Sequence, residues 1–198
     1  QSLFGQNNLA EYEIYTINVD GTEIKRVTQV SSPLSSARNP SWSPDGRMLA
    51  YVSPDFYGNP HVHSVDLADL VPRRLTLGTV GETDPAWSPD GQWIAFAALE
   101  EGGTSLGIFL RNPRGVNRIH VTHGNDYDPA WSPDSQRLVF VSERDGNQEV
   151  YVTEVGDVVE NEPVRLTDNT IADFNPIWSP SGGSIAFLSK RSDNTDIY

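Results

Sequence analysis

Asn39-Pro40-Ser41-Trp42-Ser43-Pro44-Asp45-Gly46 decides the fold, because the string returns three times along the chain. The later copies are Asp84-Pro85-Ala86-Trp87-Ser88-Pro89-Asp90-Gly91, Asp128-Pro129-Ala130-Trp131-Ser132-Pro133-Asp134-Ser135 and Asn175-Pro176-Ile177-Trp178-Ser179-Pro180-Ser181-Gly182. Pro, Trp, Ser and Pro are identical in all four, and the Trp spacings are 45, 44 and 47. A near-constant period of this length marks a repeat architecture.

Working outward, each string leads into a strand with period-2 alternation. Leu49 and Tyr51, Ile94 and Phe96, Leu138 and Phe140, and Ile185 and Phe187 occupy one set of positions. The positions between them are small or apolar: Ala50, Ala95, Val139 and Ala186. A strand apolar on both sides must be covered on both sides. The Ser-Pro-Asp-Gly link suits a type I turn, which makes a tight hairpin. Third strands read Glu13 to Ile17, His61 to Val65, Gly107 to Leu110 and Glu149 to Thr153. Fourth strands end in Arg26-Val27-Thr28, Arg74-Leu75-Thr76, His120-Val121-Thr122 and Arg165-Leu166-Thr167. No window carries a 3.6-residue apolar period with caps, so no long helix is expected. Four short antiparallel strands in about 45 residues are one propeller blade.

Pro-x-Trp-Ser-Pro-Asp-Gly, then Ile-Ala-Phe, then Asp145-Gly146-Asn147-Gln148-Glu149-Val150-Tyr151, then Arg-Leu-Thr, resembles the TolB-type (WD40-like) β-propeller repeat. The resemblance runs from about Glu11 to Tyr198. It implies an all-β propeller of four-stranded antiparallel blades and a protein-binding platform. It is specific for the repeat and less so for function, since prolyl-oligopeptidase-like peptidases carry similar propellers. Fold alone does not establish function.

The expected organisation is one TolB-like propeller domain over 1–198. A partial first blade covers 11–28, blades follow at 39–76, 84–122 and 128–167, and an incomplete last blade covers 175–198. About four blades allow two arrangements. The N-terminal strands could complete the last blade and close a four-bladed ring, or the chain could be an arc of a larger ring. Thr195-Asp196-Ile197-Tyr198 repeats the start at Glu11-Tyr12-Glu13-Ile14-Tyr15, so both segments claim one place in a closed ring, which favours the arc. An arc would expose apolar blade faces.

Composition narrows the class. Among 198 residues, Asp and Glu number 27 against 14 Lys and Arg, a net charge of -13. That argues against nucleic acid and anionic membrane as partners. Absence of Cys removes disulfides, thiolate metal sites and Cys nucleophiles. No run reaches the roughly 18 apolar residues of a membrane span, so direct membrane insertion is not expected. With 37% hydrophobic and 10% aromatic residues, the chain is no disordered acidic tail.

Binding concentrates on loops held by a rigid scaffold. The rim carrying the loops before each Pro-x-Trp, and those between second and third strands, is the richer one. Its candidate binding residues are Arg38, Tyr57, Glu82, Asp84, Asp126, Tyr127, Asp128, Arg144, Asp173, Phe174 and Arg191. Asp55, Phe56, Glu100, Glu101, Glu143, Asp145, Lys190 and Asp193 add to a mainly acidic rim with interspersed aromatics. Asn39, Asp84, Asp128 and Asn175 share one position before the inner strand. They read as a ring at a channel mouth or, more simply, as local turn caps. The four repeated Trp residues read as core. Trp93 stands where other copies are polar and reads as a modest contact.

No catalytic residue is assigned. Gly103-Thr104-Ser105-Leu106-Gly107 matches a nucleophile pattern but lies between two strands, without the helix an elbow needs. His61-x-His63 could bind metal, but nothing near in sequence completes the set and only distant loops could; His120 reads as a structural replacement for Arg, and His123, in the loop leading to Asp126 and Asp128, is a weak candidate for a Zn or Ca site. No metal and no cofactor is assigned. The expected function is a non-enzymatic platform engaging a protein or peptide partner, a basic one if the acidic excess is the guide, in the periplasm or at the cell surface. The alternatives are the gating propeller of a prolyl-oligopeptidase-like peptidase and a metal- or glycan-binding propeller.

Overall fold

The computed structural model describes residues 12–29, 36–76, 81–100, 102–156, 162–191 and 194–198. Glu11, Glu101 and Asp193 lie outside the described residues. Two short strands, β1 (Tyr15–Thr16) and β2 (Lys25–Arg26), pair first. Three four-stranded antiparallel sheets follow. The first is β3 (Arg38–Trp42), β4 (Met48–Pro54), β5 (Pro60–Asp66) and β6 (Pro72–Arg74). The second is β7 (Glu82–Trp87), β8 (Ile94–Leu99), β9 (Leu106–Arg111) and β10 (Arg118–His120). The third is β11 (Asp126–Trp131), β12 (Arg137–Ser142), β13 (Glu149–Glu154) and β14 (Val164–Arg165). A three-stranded sheet ends the chain: β15 (Asp173–Trp178), β16 (Ile185–Ser189) and β17 (Asp196–Ile197). Each is a meander, with strands adjacent in sequence paired in space. The described residues contain no α-helix.

The hairpins close as their residues dictate. Ser43 Oγ donates to Asp45 Oδ1 and accepts from the Met48 amide, and Gly46 N bonds back to Ser43 O. The same set recurs at Ser88 with Asp90 and at Ser132 with Asp134. The fourth turn residue is left-handed throughout, with φ of 70° at Gly46, 73° at Gly91, 60° at Ser135 and 71° at Gly182. That is why Gly is preferred there and Ser135 is a strained substitute. Hydrogen bonds from Ser43 and Ser132 hold the Asp45 and Asp134 carboxyls below the usual range, so part of the acidity serves the turns.

The large-small alternation becomes a stacking rule. Leu49 and Tyr51 meet Ile14 and Val27 of the preceding sheet. Ile94 and Phe96 meet Ala50, Val62 and Leu75. Leu138, Phe140 and Tyr151 meet Ala95, Ala97, Ile108 and Leu110. Large side chains face the sheet before, and small ones receive the sheet after, at the close packing of protein interiors. The indole of Trp131 donates to Ala86 O at 3.0 Å, and that of Trp178 to Ala130 O at 3.2 Å, tying sheet to sheet. The four Trp residues are not equally core. Trp42 is 51% exposed, because among the described residues the sheet before it has two strands and no inner strand to cover the indole.

The sheets form an open arc, and the closed four-bladed alternative is not realised. Ile14 and Val27 pack on the first four-stranded sheet, and β17 holds the third-strand place in the last sheet. Apolar surface is open at both ends: Tyr15 and Ile17 at the start, Ile177 and Ile197 at the close. Ile177, at 61% exposure, stands where Ala86 and Ala130 receive a following sheet.

Fourth-strand ladders stop earlier than the Arg-x-Thr strings suggest, at Arg26, Arg74, His120 and Arg165. The Thr then takes over: Thr28 Oγ1 accepts from Ile14 N, Thr122 Oγ1 from Ile108 N and Thr167 Oγ1 from Val150 N.

Candidate functional site

The described residues of the loops that precede each inner strand, β14 to β15 included, and of the loops that join second and third strands gather on one rim. Bonds between them, such as Asn125 Nδ2 to Glu143 Oε2 at 2.6 Å and Asn147 Nδ2 to Ile171 O at 3.0 Å, make it one surface. Asn39, Asp84, Asp128 and Asn175 all adopt positive φ, between 50° and 54°. Asn and Asp tolerate this left-handed region better than other non-glycine residues. Each sits at a register shift of the inner strand: Arg38 to Ser41, Thr83 to Ala86, Tyr127 to Ala130 and Phe174 to Ile177. The side chains do meet across sheets. Asn39 Nδ2 donates to Asp84 Oδ1 at 2.7 Å. Burial, and then the charge of Asp84, push the Asp128 carboxyl up to about 6.

That shift has a testable sign. The folded carboxyl holds its proton to higher pH than an unfolded one, so folding loses stability as pH rises from about 4 to about 6. Asn39 and Asn175 show that this backbone accepts Asn. Asp128→Asn is therefore expected to raise stability at pH 7.5 by about 1 kcal/mol, discounted for partial exposure. Urea unfolding of both proteins at pH 4.5 and 7.5 checks it. A gap that does not widen toward pH 7.5 would contradict the assignment.

The other rim candidates divide by burial. Tyr57 is 84% exposed and packs edge-on against the equally open Phe56, their rings 5.5 Å apart. Arg38 is exposed. Tyr127 is half-buried, its hydroxyl donating to Glu143 Oε1 at 2.9 Å and accepting from Gln148 at 2.7 Å. Phe174 is half-buried under the Lys190 ammonium, 5.6 Å away. Arg191 lies 4.0 Å over the Tyr198 ring and bonds to Ser189 Oγ, repeating the placement of Arg144 over Tyr151. Glu82, Asp126 and Asp173 are buried, at 2%, 0% and 0% exposure. Arg144 Nη2 reaches Asp126 Oδ2 at 2.8 Å, and Asn169 Nδ2 reaches Asp173 Oδ2 at 2.8 Å. Glu82 accepts from the Thr76 hydroxyl and lies 3.2 Å from His61 Nδ1. These three carboxylates support the rim from beneath.

Sequence reasoning missed a clamp inside the blades. Glu149 is fully buried and accepts from Thr167 Oγ1, Asn169 N, Asn147 Nδ2 and Arg165 Nη2. Glu13 takes Arg26 and Thr28 in the same way. The available signal was a Glu two residues before Tyr, paired with a later Arg-x-Thr. His61 holds this position in the first four-stranded sheet, set between Asp55 Oδ2 and Glu82 Oε2 at 3.2 Å each. His63 turns back to His61 O at 3.1 Å and stacks on Tyr51, so the two imidazoles do not share a ligand point. Trp93 packs half-buried against the core between the second and third sheets. Of the Gly-x-Ser-x-Gly pattern, Gly103 to Ser105 lie in the β8–β9 hairpin loop, with Gly103 N bonded to Glu100 O, while Leu106 and Gly107 open β9.

The family model described as TolB beta propeller domain matches residues 3–109 and again 83–198. The TolB of Acinetobacter baumannii is 24% identical over 92% of this chain and 44% of its own, with a TM-score of 0.75. A protein described as a TolB of Agrobacterium tumefaciens is 22% identical over 94% of this chain and 69% of its own, at 0.77. A puromycin-hydrolyzing peptidase of Mycobacterium tuberculosis is 17% identical over 94% of this chain and 32% of its own, at 0.71. These structural likenesses show the fold. The chain spans less than half the length of the first. No curated protein sequence matches it.

Proposed function

The chain belongs to the TolB β-propeller domain family, and from that premise we propose that it is a non-enzymatic platform whose rim binds a protein or peptide partner in the bacterial cell envelope. The observation that carries this reading is the mixture on one rim: exposed Phe56 and Tyr57, exposed Arg38, and the half-buried Asp84–Asp128 pair at the inner strands. Exposed aromatics beside charge are what protein interfaces use as anchors. Two carboxylates that repel each other gain most from a cation arriving between them. A basic segment is therefore the proposed ligand, consistent with the net charge of -13. Arg38, Tyr57, Asp84, Tyr127, Asp128, Phe174 and Arg191 form the proposed contact set, while Glu82, Asp126, Arg144 and Asp173 hold it in place. The placement of Ser105 in a hairpin loop, away from any helix N-terminus, supports the non-enzymatic reading.

An array of lysine- and arginine-rich peptides, with neutral peptides as controls, tests this. The protein is expected to retain basic peptides. Phe56→Ala/Tyr57→Ala and Asp84→Asn/Asp128→Asn variants should each bind at least tenfold more weakly. Equal retention of neutral peptides, or indifference to both variants, would sink the proposal.

A further inference from the structure

The second four-stranded sheet departs from the third at four positions that converge in space. Where the third has Glu149, Arg165, Asp168 and Arg144, the second has Gly107, His120, His123 and Glu100. The missing side chain at Gly107 is required: a Cβ there would stand 2.6 Å from both His120 Nε2 and Thr122 O. The vacated space is filled by the His120 ring and the Glu100 carboxylate. Donor atoms of Glu100, His120 and His123 all lie within 4.8 Å of one another. Glu100 Oε2 is 3.3 Å from His123 Nδ1, and Glu100 Oε1 is 3.9 Å from His120 Nε2.

Two features set this cluster apart from a chance ion pair. His120 Nε2 is buried and has no hydrogen-bond partner among the described residues. A buried polar atom left in that state costs free energy unless something binds it. The group is also held in shape. Phe109 stacks on His120 with centroids 4.2 Å apart, and Gly124 N donates to Glu100 Oε1 at 3.2 Å. Bonds of about 2.0–2.2 Å in a tetrahedron place neighbouring donors roughly 3.3–3.5 Å apart; the Glu100–His123 pair meets this at 3.3 Å, and the Glu100–His120 pair, at 3.9 Å, would close slightly on an ion.

We infer that Glu100, His120 and His123 form a site for a divalent first-row transition ion, with Zn2+ the best match to two imidazoles and a carboxylate. The hard cations Ca2+ and Mg2+ prefer all-oxygen shells of six or more ligands, which this set does not offer. His123 is 74% exposed in its side chain, so the fourth position opens to solvent. The inference does not rest on peptide binding, although the site lies in loops of the same rim.

The test is a titration of chelator-treated, tag-free protein with Zn2+ by calorimetry and with Co2+ by visible absorption. One equivalent and a d–d band of four-coordinate intensity are expected. His120→Arg/His123→Gln restores residues that the repeat itself uses at Arg165 and Gln29, so the fold should survive, as circular dichroism would verify. Affinity should fall at least a hundredfold in that variant, while His63→Gln should bind as the parent does. Absence of binding in the parent, equal affinity in the double variant, or loss of binding on His63→Gln would each overturn the inference.

Discussion

Arg144→Ala is expected to cost about 3–5 kcal/mol of folding stability, the range for removing one partner of a buried ion pair. The size follows from what is left behind. The Asp126 side chain is fully buried, and Arg144 Nη2 at 2.8 Å is the cation that compensates it. Its Oδ1 already lacks a hydrogen-bond partner among the described residues, so the carboxylate has no reserve. The guanidinium also donates to Ser142 Oγ at 2.9 Å and covers the Tyr151 ring, contacts that vanish with it. Asp126→Asn combined with Arg144→Ala removes the stranded charge and should recover a large part of the loss. Chemical denaturation of the four proteins of this cycle measures it. If the single Arg144→Ala variant lost under 1 kcal/mol, or the double variant were no better, the pair would not be holding the rim.

The result bears on how the rim can be probed. Charge reversal at Asp126 would weaken partner binding by unfolding the loop, whatever the loop touches. Asp128, two residues on and half-exposed with a raised pKa, is the position where charge can be altered while the backbone is kept. Tyr57 and Phe56 serve the same purpose for apolar contact.

Much of this was legible in the residues. Four Pro-x-Trp-Ser-Pro strings announce the blades, because each hairpin needs the same turn chemistry and the same indole between sheets. The alternation of Leu49, Ala50 and Tyr51 with its counterparts shows that both faces are covered, and the repeat at Asp196-Ile197-Tyr198 pointed to the arc. The interior of the rim was not legible. Period-2 counting puts Asp126 and Asp128 on one side of a strand, yet one is buried and the other half-exposed. The left-handed φ of 54° at Asp128 breaks the count between Tyr127 and Ala130. Nothing in composition distinguishes a loop carboxylate that caps a buried network from one that faces water. The Glu100, His120 and His123 set was legible only in part: His123 stood out as a weak Zn or Ca candidate, but Glu100 comes from the β8–β9 connection, His120 from the end of β10, and Gly107, which makes room for them, carries no chemistry of its own.

Phe140→Ala should destabilise the protein by about 3–5 kcal/mol, whereas Phe187→Ala, at the equivalent place in the last sheet, should cost about 1–2 kcal/mol. The two residues share a strand position and the same stacking partner type. Tyr151 lies 6.0 Å from the Phe140 ring, and Tyr198 lies 6.1 Å from the Phe187 ring. Their surroundings differ. Phe140 is fully buried against Ala95, Ala97, Ile108 and Leu110, so truncation leaves a cavity that a close-packed sheet cannot collapse into. Phe187 faces a groove lined by Val150, Val152, Leu166 and Trp178, beside a sheet of three strands, and is already partly exposed. Water or side-chain movement can fill the gap there, so less transfer energy is lost and little cavity remains. Equilibrium urea unfolding of both variants decides the matter. Equal losses would mean that the last sheet is packed as tightly as the middle ones, and that the arc does not loosen toward its end.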